Sequence, residues 1–167
     1  SKSGTSASCN VAIGYRAMQN NTLGCCSVAI GESALRSNTT GIRNTVVGRG
    51  AMESNTVGSK NVAIGERSLR SNTANHNTAI GAYSLYKNTS GEGNVGLGLS
   101  TLFCNQVGNN NTAIGRDALF FNTASANTAV GTCALFSNTT GRDNTALGCR
   151  AMSCNTVGIK NTAVGKN

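Results

Sequence analysis

The sequence has no proline and no tryptophan, and aromatic residues make up only 4% of its 167 positions. A chain with so few large side chains cannot fill the thick hydrophobic core of an ordinary globular domain. Charged residues amount to 12%, which is too few for a disordered segment that charge repulsion keeps open. No stretch is long and apolar enough to span a lipid bilayer. These absences favour a narrow fold with a thin core and no membrane insertion.

The residues that catalysis and metal binding require are also scarce. There is one histidine, His76, and the six Asp and Glu residues form no repeated constellation. We therefore predict no enzyme activity, no catalytic residue and no cofactor. The seven cysteines contain no C-x-x-C pair, which argues against zinc, and no metal-binding residue is predicted. The net charge of +8 comes from scattered Lys and Arg residues, so nucleic acid is not expected as a partner.

What the sequence does contain is one phrase of 16 or 17 residues, approximately N-[TV]-A-[IV]-G-x-x-A-L-x-x-N-T-x-G-x-x. A unit this short cannot bury a hydrophobic face alone, so successive units have to stack on one another. The fifth position of the phrase is a glycine, which we call the anchor. The ten anchor glycines are Gly14, Gly31, Gly48, Gly65, Gly81, Gly98, Gly115, Gly131, Gly148 and Gly165.

The predicted fold is all-β: a parallel β-solenoid of about ten coils of 16–17 residues, which spans 10–167 after a lead-in at 1–9, with no separate second domain. Asn residues four before and seven after the anchors mark the corners of the coil. Leu or Met four residues after the anchor supplies a thin core. Stacked strands lie about 4.8 Å apart, so ten coils give a rod about 50 Å long. The two 16-residue coils lack the second glycine of the phrase, so their missing residue falls in a turn and the strands keep their register.

The three residues before each anchor alternate between a larger residue and a small one, which is typical of a strand. We predict that the larger side chains line the interior of the coil. The opposite side then presents only Ala and Gly, and so bare a face permits close approach of a second copy of the chain. The predicted subunit-contact residues are Ala12, Gly14, Ala29, Gly31, Gly48, Ala63, Gly65, Ala79, Gly81, Gly98, Ala113, Gly115, Ala129, Gly131, Ala146, Gly148, Ala163 and Gly165.

Aromatic residues are concentrated in the column five residues after the anchor. Because the Leu or Met before it points inward, this column is expected to point outward and to stack from coil to coil. It suits a sugar or a partner protein. The interpretation that we favour is burial against a neighbouring chain of the trimer or against another fibre. In earlier coils the column holds Arg36, Glu53 and Arg70, whose charges alternate and set the coil register. The candidate surface-binding residues are Tyr86, Phe103, Phe120, Phe121 and Phe136.

Two cysteines occupy the same position in adjacent coils. Cys9 and Cys26 each stand five residues before an anchor, and a separation near 4.8 Å is within reach of a disulfide. They are the candidate disulfide pair. The alternative is that most cysteines are free thiols that act as small, half-buried fillers.

The phrase also resembles the repeats of known families. The segments 61–65 (N-V-A-I-G) and 111–115 (N-T-A-I-G) resemble the head repeats of trimeric autotransporter adhesins. The longer phrase at 127–141 is similar to repeats in phage and giant-virus fibre proteins. The resemblance covers nearly the whole chain and implies a homotrimeric β-helix or β-roll, with the anchor glycines and the preceding alanines near the subunit contact.

We therefore expect a structural fibre or shaft segment of an extracellular appendage on a virion or a cell surface, with end-to-end filaments as an extension of that role. The expected partner is the chain itself. One alternative is adhesion to a host-surface glycan or protein through the aromatic column. A further alternative is ice binding through the Thr residues that follow the second Asn of each phrase.

Overall fold

The structure, a computed structural model, describes residues 9–166, and each repeat forms one coil of an all-β solenoid, as the sequence predicts. The strands pair in parallel, in chain order, within a single ten-stranded sheet. Of the predicted lead-in at 1–9, only Cys9 belongs to the described part. This part contains no helix that could cross a lipid bilayer. The strands are Val11–Ile13 (β1), Val28–Ile30 (β2), Thr45–Val47 (β3), Val62–Ile64 (β4), Thr78–Ile80 (β5), Val95–Leu97 (β6), Thr112–Ile114 (β7), Thr128–Val130 (β8), Thr145–Leu147 (β9) and Thr162–Val164 (β10).

Equivalent residues of successive coils lie beside each other even where the coil length changes. Ala63 pairs with Ala79 across the first 16-residue coil, and Ala113 pairs with Ala129 across the second. A residue lost within a strand would reverse its two faces. The shorter coils therefore lose their residue in a turn, and the predicted register is confirmed.

The prediction that the larger strand side chains face the interior is wrong. The central alanines, such as Ala29 and Ala113, have 0% exposure, whereas Ile30 and Ile114 are 36% and 37% exposed. Leu or Met side chains already fill most of the narrow interior, which leaves little room for the strands. Most strands therefore add only Ala to the core, and the largest inward residue is Val46 in β3. These alanines have no accessible surface to give to a second chain, so they are core residues of one chain. The predicted contact residues to which this correction applies are Ala29, Ala63, Ala79, Ala113, Ala129 and Ala146.

Size compensation in the core demonstrates the same orientation. In β6 the inward position is Gly96 instead of Ala, and a Cβ there would lie 2.5 Å from Ser84 Oγ and 2.7 Å from Thr101 Oγ1. Ser84 and Thr101 stand where most other coils have the smaller alanine, and their hydroxyls form a hydrogen bond with each other at 2.7 Å. The residue two before the anchor and the residue three after it therefore share one layer of the core.

The anchor glycines are needed for contact between coils of the same chain. Their φ angles lie between 117° and 138°, a region that other residues rarely adopt. A Cβ on Gly31 would lie 2.7 Å from the carbonyl oxygen of Gly48 in the next coil. Stacking of the coils thus accounts for these glycines without a second subunit.

Two ladders of buried Asn side chains run along the solenoid at the predicted corners. In the ladder four residues before the anchors, the backbone N–H of Asn61 donates to Asn44 Oδ1 at 3.0 Å. In the ladder seven residues after the anchors, Asn38 Nδ2 donates to Asn21 Oδ1 at 2.7 Å and to Gly41 O at 3.0 Å. These bonds satisfy polar groups that burial would otherwise leave without partners.

The second Asn ladder is interrupted at the first 16-residue coil. Asn55 Oδ1 is buried and accepts no hydrogen bond from any residue in the described range. Asn72, its neighbour in the short coil, instead directs Nδ2 to Ala74 O at 2.8 Å. At the second short coil, the bond from Asn122 to Asn105 is retained at 3.4 Å. Loss of one turn residue therefore preserves the sheet and weakens the ladder.

The turns use left-handed backbone at three fixed places: five residues before, two after and four after the anchor. Twenty-six non-glycine residues have φ between 47° and 65° at these places. This region costs a non-glycine residue roughly 1 kcal/mol or more. Hydrogen bonds between coils offset the cost, as where Leu35 N donates to Ala51 O and Ser33 N donates to Tyr15 O.

Candidate functional site

The aromatic residues of the outer column stack face to face along the solenoid, as predicted. We call Tyr86, Phe103, Phe120 and Phe136 the aromatic stack. Their ring centres are 5.1, 5.0 and 5.4 Å apart in chain order, and the planes of neighbouring rings differ by 9°, 2° and 25°. These distances match the spacing of about 4.8 Å between stacked strands, so the backbone sets the stacking.

Two further rings flank the aromatic stack. Phe121 is 44% exposed and packs edge-on against Phe120 and Phe136, with ring centres 4.8 and 5.3 Å apart. Tyr83 lies against Tyr86 at 5.8 Å. Edge-on contacts of this kind each contribute about 0.5–1.5 kcal/mol beyond burial. The five candidate surface-binding residues therefore form one continuous, partly exposed surface.

The first end of the aromatic stack is covered by an ion-paired guanidinium. Arg70 lies over the Tyr86 ring at 5.9 Å from its centre, and its Nη1 is 3.4 Å from the Tyr86 hydroxyl. Its Nε donates to Glu53 Oε2 at 3.0 Å, and this hydrogen bond raises the pKa of Arg70 above its ordinary value. A positively charged group over a ring face is a favourable arrangement.

The other end of the aromatic stack opens into a cavity of about 450 Å³. The next coil has Ser153 in the column, so no ring follows Phe136. The cavity lies between these two residues and carries the exposed guanidinium of Arg150, which forms no ion pair within residues 9–166. We call it the stack-end cavity, and its lining residues are Cys133, Phe136, Ser137, Arg150, Ser153 and Cys154.

Ion pairs occupy the same column in the earlier coils, as predicted. In what we call the ionic ladder, Glu53 lies between two guanidiniums, 3.3 Å from Arg36 and 3.0 Å from Arg70. A second, more exposed ladder centres on Arg49, with contacts of 3.5 and 3.2 Å. Exposed pairs such as these contribute little, typically under about 1 kcal/mol each. The members of the second ladder are Glu32, Arg49 and Glu66.

The outer face of the sheet carries a continuous line of aliphatic side chains, which we call the aliphatic row. It consists of the residue directly before each anchor. Ile64 and Ile80, for example, are 37% and 38% exposed although they lie in the middle of the sheet. A contiguous apolar surface of this kind is unusual on a protein that remains monomeric. The members of the row are Ile13, Ile30, Val47, Ile64, Ile80, Leu97, Ile114, Val130, Leu147 and Val164.

All seven cysteines are free thiols in the structure. Cys9 and Cys26 are exposed at equivalent left-handed positions of adjacent coils, with φ of 65° and 58°. Cys26 Sγ lies 3.6 Å from the thiol of Cys25, which raises the pKa of Cys26 above its ordinary value. The disulfide between Cys9 and Cys26 stays a prediction.

Most Thr hydroxyls in the column after the second Asn, and the single histidine, are engaged in contacts within the chain. Six of the eight Thr residues that follow the second Asn donate their hydroxyls to the next coil, as from Thr39 Oγ1 to Thr56 O at 3.0 Å. His76 Nδ1 lies 2.8 Å from Glu92 Oε1, and both side chains are exposed. Within the described residues, no group of three or more His, Cys, Asp and Glu side chains is arranged to hold a metal ion.

No protein-family model, no curated protein and no solved structure matches this chain.

Sequence reasoning did not find two of the surfaces described above. It placed the aliphatic row inside the coil, although the size compensation at Gly96 shows which side is enclosed. It also identified the run of aromatic residues but did not predict the cavity beside the last ring, Phe136. The signal for that cavity was the end of the run itself, at Ser153.

Proposed function

We propose that this chain is a non-enzymatic, structural segment of a fibre or shaft, in which three copies associate side by side along the solenoid axis. The proposal includes a location on an extracellular appendage of a virion or a cell, in keeping with the sequence resemblance. The observation that carries it is the aliphatic row, which extends through every coil from β1 to β10. The contact proposed here is this row, in place of the alanine face inferred from the sequence.

A second copy fits the aliphatic row because both surfaces repeat with the same period. Each chain places one aliphatic side chain per coil on its parallel sheet. Chains aligned in parallel then match coil to coil, and the contact area grows in proportion to length. Burial of apolar surface contributes about 25 cal/mol per Å², so a long row can hold chains together without any strong single contact.

The assembly mass in solution tests the proposal, by light scattering on a size-exclusion column. We expect the mass of three chains. The double variant Ile80→Lys/Ile114→Lys places charges in the centre of the aliphatic row and should reduce the mass to that of one chain. A wild-type monomer would overturn the proposal. Masses that rise with concentration without limit would instead indicate open-ended assembly, which contradicts a closed trimer.

The matched control is Val57→Lys/Val107→Lys. Both valines are exposed, at 53% and 55%, but they lie in a turn and outside the aliphatic row. This variant should keep the mass of the wild type. Thermal unfolding followed by circular dichroism checks that each variant remains folded.

Adhesion through the aromatic stack is a second candidate function. The observation in its favour is that the rings are ordered by the backbone and yet remain partly open to solvent, with Phe121 44% exposed. Substitution of Phe121 by Ser should weaken attachment to a target cell surface without altering the assembly mass. Unchanged attachment would count against this function.

A further inference from the structure

The stack-end cavity has the chemical character of a small-molecule site. Its lining combines the aromatic ring of Phe136 with the hydroxyl-bearing side chains of Ser137 and Ser153, and Arg150 supplies a positive charge. Ser153 Oγ lies 3.9 Å from Cys154 Sγ, a weak contact that a stronger hydrogen-bonding group can replace. Its volume of about 450 Å³ lies within the range of about 300–1,000 Å³ that is usual for ligand sites. Apolar surface with a few polar groups at the edge is the common composition of such sites.

The asymmetry of the aromatic stack singles out this end. At the Tyr86 end, Arg70 covers the ring and is itself held by Glu53. At the Phe136 end, the coil spacing continues but the ring does not, because Ser153 occupies the next position. A flat ring placed one step further along the column would lie over Phe136 in the same way that Phe136 lies over Phe120, at about 5 Å.

We propose that the stack-end cavity binds a hexopyranose ring that bears a carboxylate, such as a uronic acid residue of an acidic polysaccharide. One face of a pyranose presents C–H groups, whose partial positive charge is complementary to the negative face of an aromatic ring. The hydroxyls of Ser137 and Ser153 are suited to the sugar hydroxyls. The carboxylate forms an ion pair with the guanidinium of Arg150, which has no acidic partner in the described part of the chain.

Phe121 holds the ring of Phe136, on which this ligand would stack. Its edge-on contacts with Phe120 and Phe136, at interplanar angles of 73° and 83°, fix the plane of the last ring. A ring that is already held in position loses little conformational freedom on binding. The inference gives the adhesive role a ligand class and a location, and it does not depend on whether the chain forms trimers.

Titration of the 167-residue chain, labelled with ¹⁵N and followed by NMR, tests the proposal. The probes are methyl β-glucuronide and its neutral counterpart methyl β-glucoside, both in the millimolar range. We expect glucuronide to shift the backbone amide signals of the coils that carry Phe136 and Ser153, with an affinity about two- to fivefold higher than that of glucoside, as suits one exposed charge pair. Shifts spread over the surface, or no shifts, would overturn the proposal.

Two variants and one control variant locate the binding without removing the fold. Ser153→Phe extends the aromatic stack by one ring, fills the cavity and should abolish binding while thermal stability is kept or raised. Arg150→Gln should remove the preference for glucuronide over glucoside. Gln19→Phe places a ring in the same column of the first coil and should bind like the wild type.

A third probe distinguishes a sugar from another ringed acid. Benzoate has a flat ring and a carboxylate but no hydroxyls for Ser137 and Ser153. Tighter binding of benzoate than of glucuronide at the same amides would overturn the assignment to a sugar. Binding that survives in Ser153→Phe would overturn the location. A trimeric mass with no binding would leave the fibre proposal intact and reject only this site.

Discussion

One column of the solenoid is ionic in its first half and aromatic in its second, on the same backbone. The ionic ladder holds Glu53 within 3.3 Å of both guanidiniums, whereas the rings of the aromatic stack have centres 5.0–5.4 Å apart. In both halves the coil spacing brings equivalent side chains into contact. The backbone therefore determines which side chains come into contact. Either ion pairs or stacked rings can occupy the column, because both attract at this spacing.

The two halves differ in what their contacts contribute. Rings remove apolar surface from water and gain from stacking, while ion pairs near the surface lose much of their attraction to solvent. Arg70 belongs to both halves, because it pairs with Glu53 and covers Tyr86. We expect the aromatic half to be the more stable part of the column.

The largest expected effect is one that the two halves share. Asn38 lies in the ionic half and Asn105 in the aromatic half, and both side chains have 0% exposure within the same Asn ladder. Substitution of either by Ala should reduce the free energy of unfolding by about 3 kcal/mol, since buried partners lose their hydrogen bonds. Urea denaturation measures both. Costs that differ by more than about 1 kcal/mol would mean that the halves differ in their core as well as in their outer column.

A smaller effect should separate the halves directly. Phe120→Ala removes a ring with neighbours on both sides and should cost about 2 kcal/mol, below the value for a fully buried ring. Glu53→Gln, the equivalent change in the ionic ladder, should cost less than about 1 kcal/mol. Phe120→Leu keeps part of the apolar surface and serves as the control. Equal costs for the Phe120→Ala and Glu53→Gln variants would contradict the comparison.

Salt should reveal the different origin of the two contributions. Raising NaCl from about 0.1 M to about 1 M shortens the screening length from about 10 Å to about 3 Å. The stability difference between wild type and Glu53→Gln should then shrink, while the difference between wild type and Phe120→Ala should persist. Thermal melting of the three proteins at both salt concentrations gives the result. A salt-sensitive Phe120→Ala difference would show that the stack owes its stability to charge.

The smallest expected effect concerns the boundary between the halves. Arg70→Phe moves the boundary by one coil, since it removes a contact to Glu53 and adds a ring over Tyr86. The stabilisation lost with the ion pair and the stabilisation gained from the stacked ring are of similar size, so the free energy of unfolding should change by less than about 0.5 kcal/mol. Arg70→Ala, which has the loss without the gain, is the control and should be the less stable variant in a urea titration. If Arg70→Phe were no more stable than Arg70→Ala, the idea that a stacked ring can replace an ion pair in this column would be wrong.

Much of this architecture could be predicted because a fixed period places equivalent residues side by side. The strands, the Asn corners, the stacked rings and the alternating charges all follow from that rule. The direction of the strand side chains does not, because alternation distinguishes two faces without saying which one is enclosed. Volume settles it: the interior that Leu or Met already occupies admits alanine and excludes isoleucine.

The left-handed turn positions were also beyond sequence reasoning. Residues as different as Arg16, Tyr83 and Asp117 share the position two after the anchor, with φ of 59°, 57° and 58°. Left-handed backbone is usually recognised by Gly or Asn, and here most of the positions carry neither. The conformation is imposed by bonds between coils, which no local pattern records.

These turns have a consequence for how the chain folds. A single coil in isolation has the unfavourable φ angles but none of the bonds to neighbouring coils, such as that from Leu35 N to Ala51 O, that make them tolerable. Initiation therefore requires at least two coils to form together, whereas each later coil finds a finished surface on which to close. Folding should proceed as propagation from a nucleus along the axis, as in other quasi-one-dimensional repeat proteins. The last folded coil serves as a template for the next repeat, because its free backbone groups are positioned to bond the backbone of that repeat.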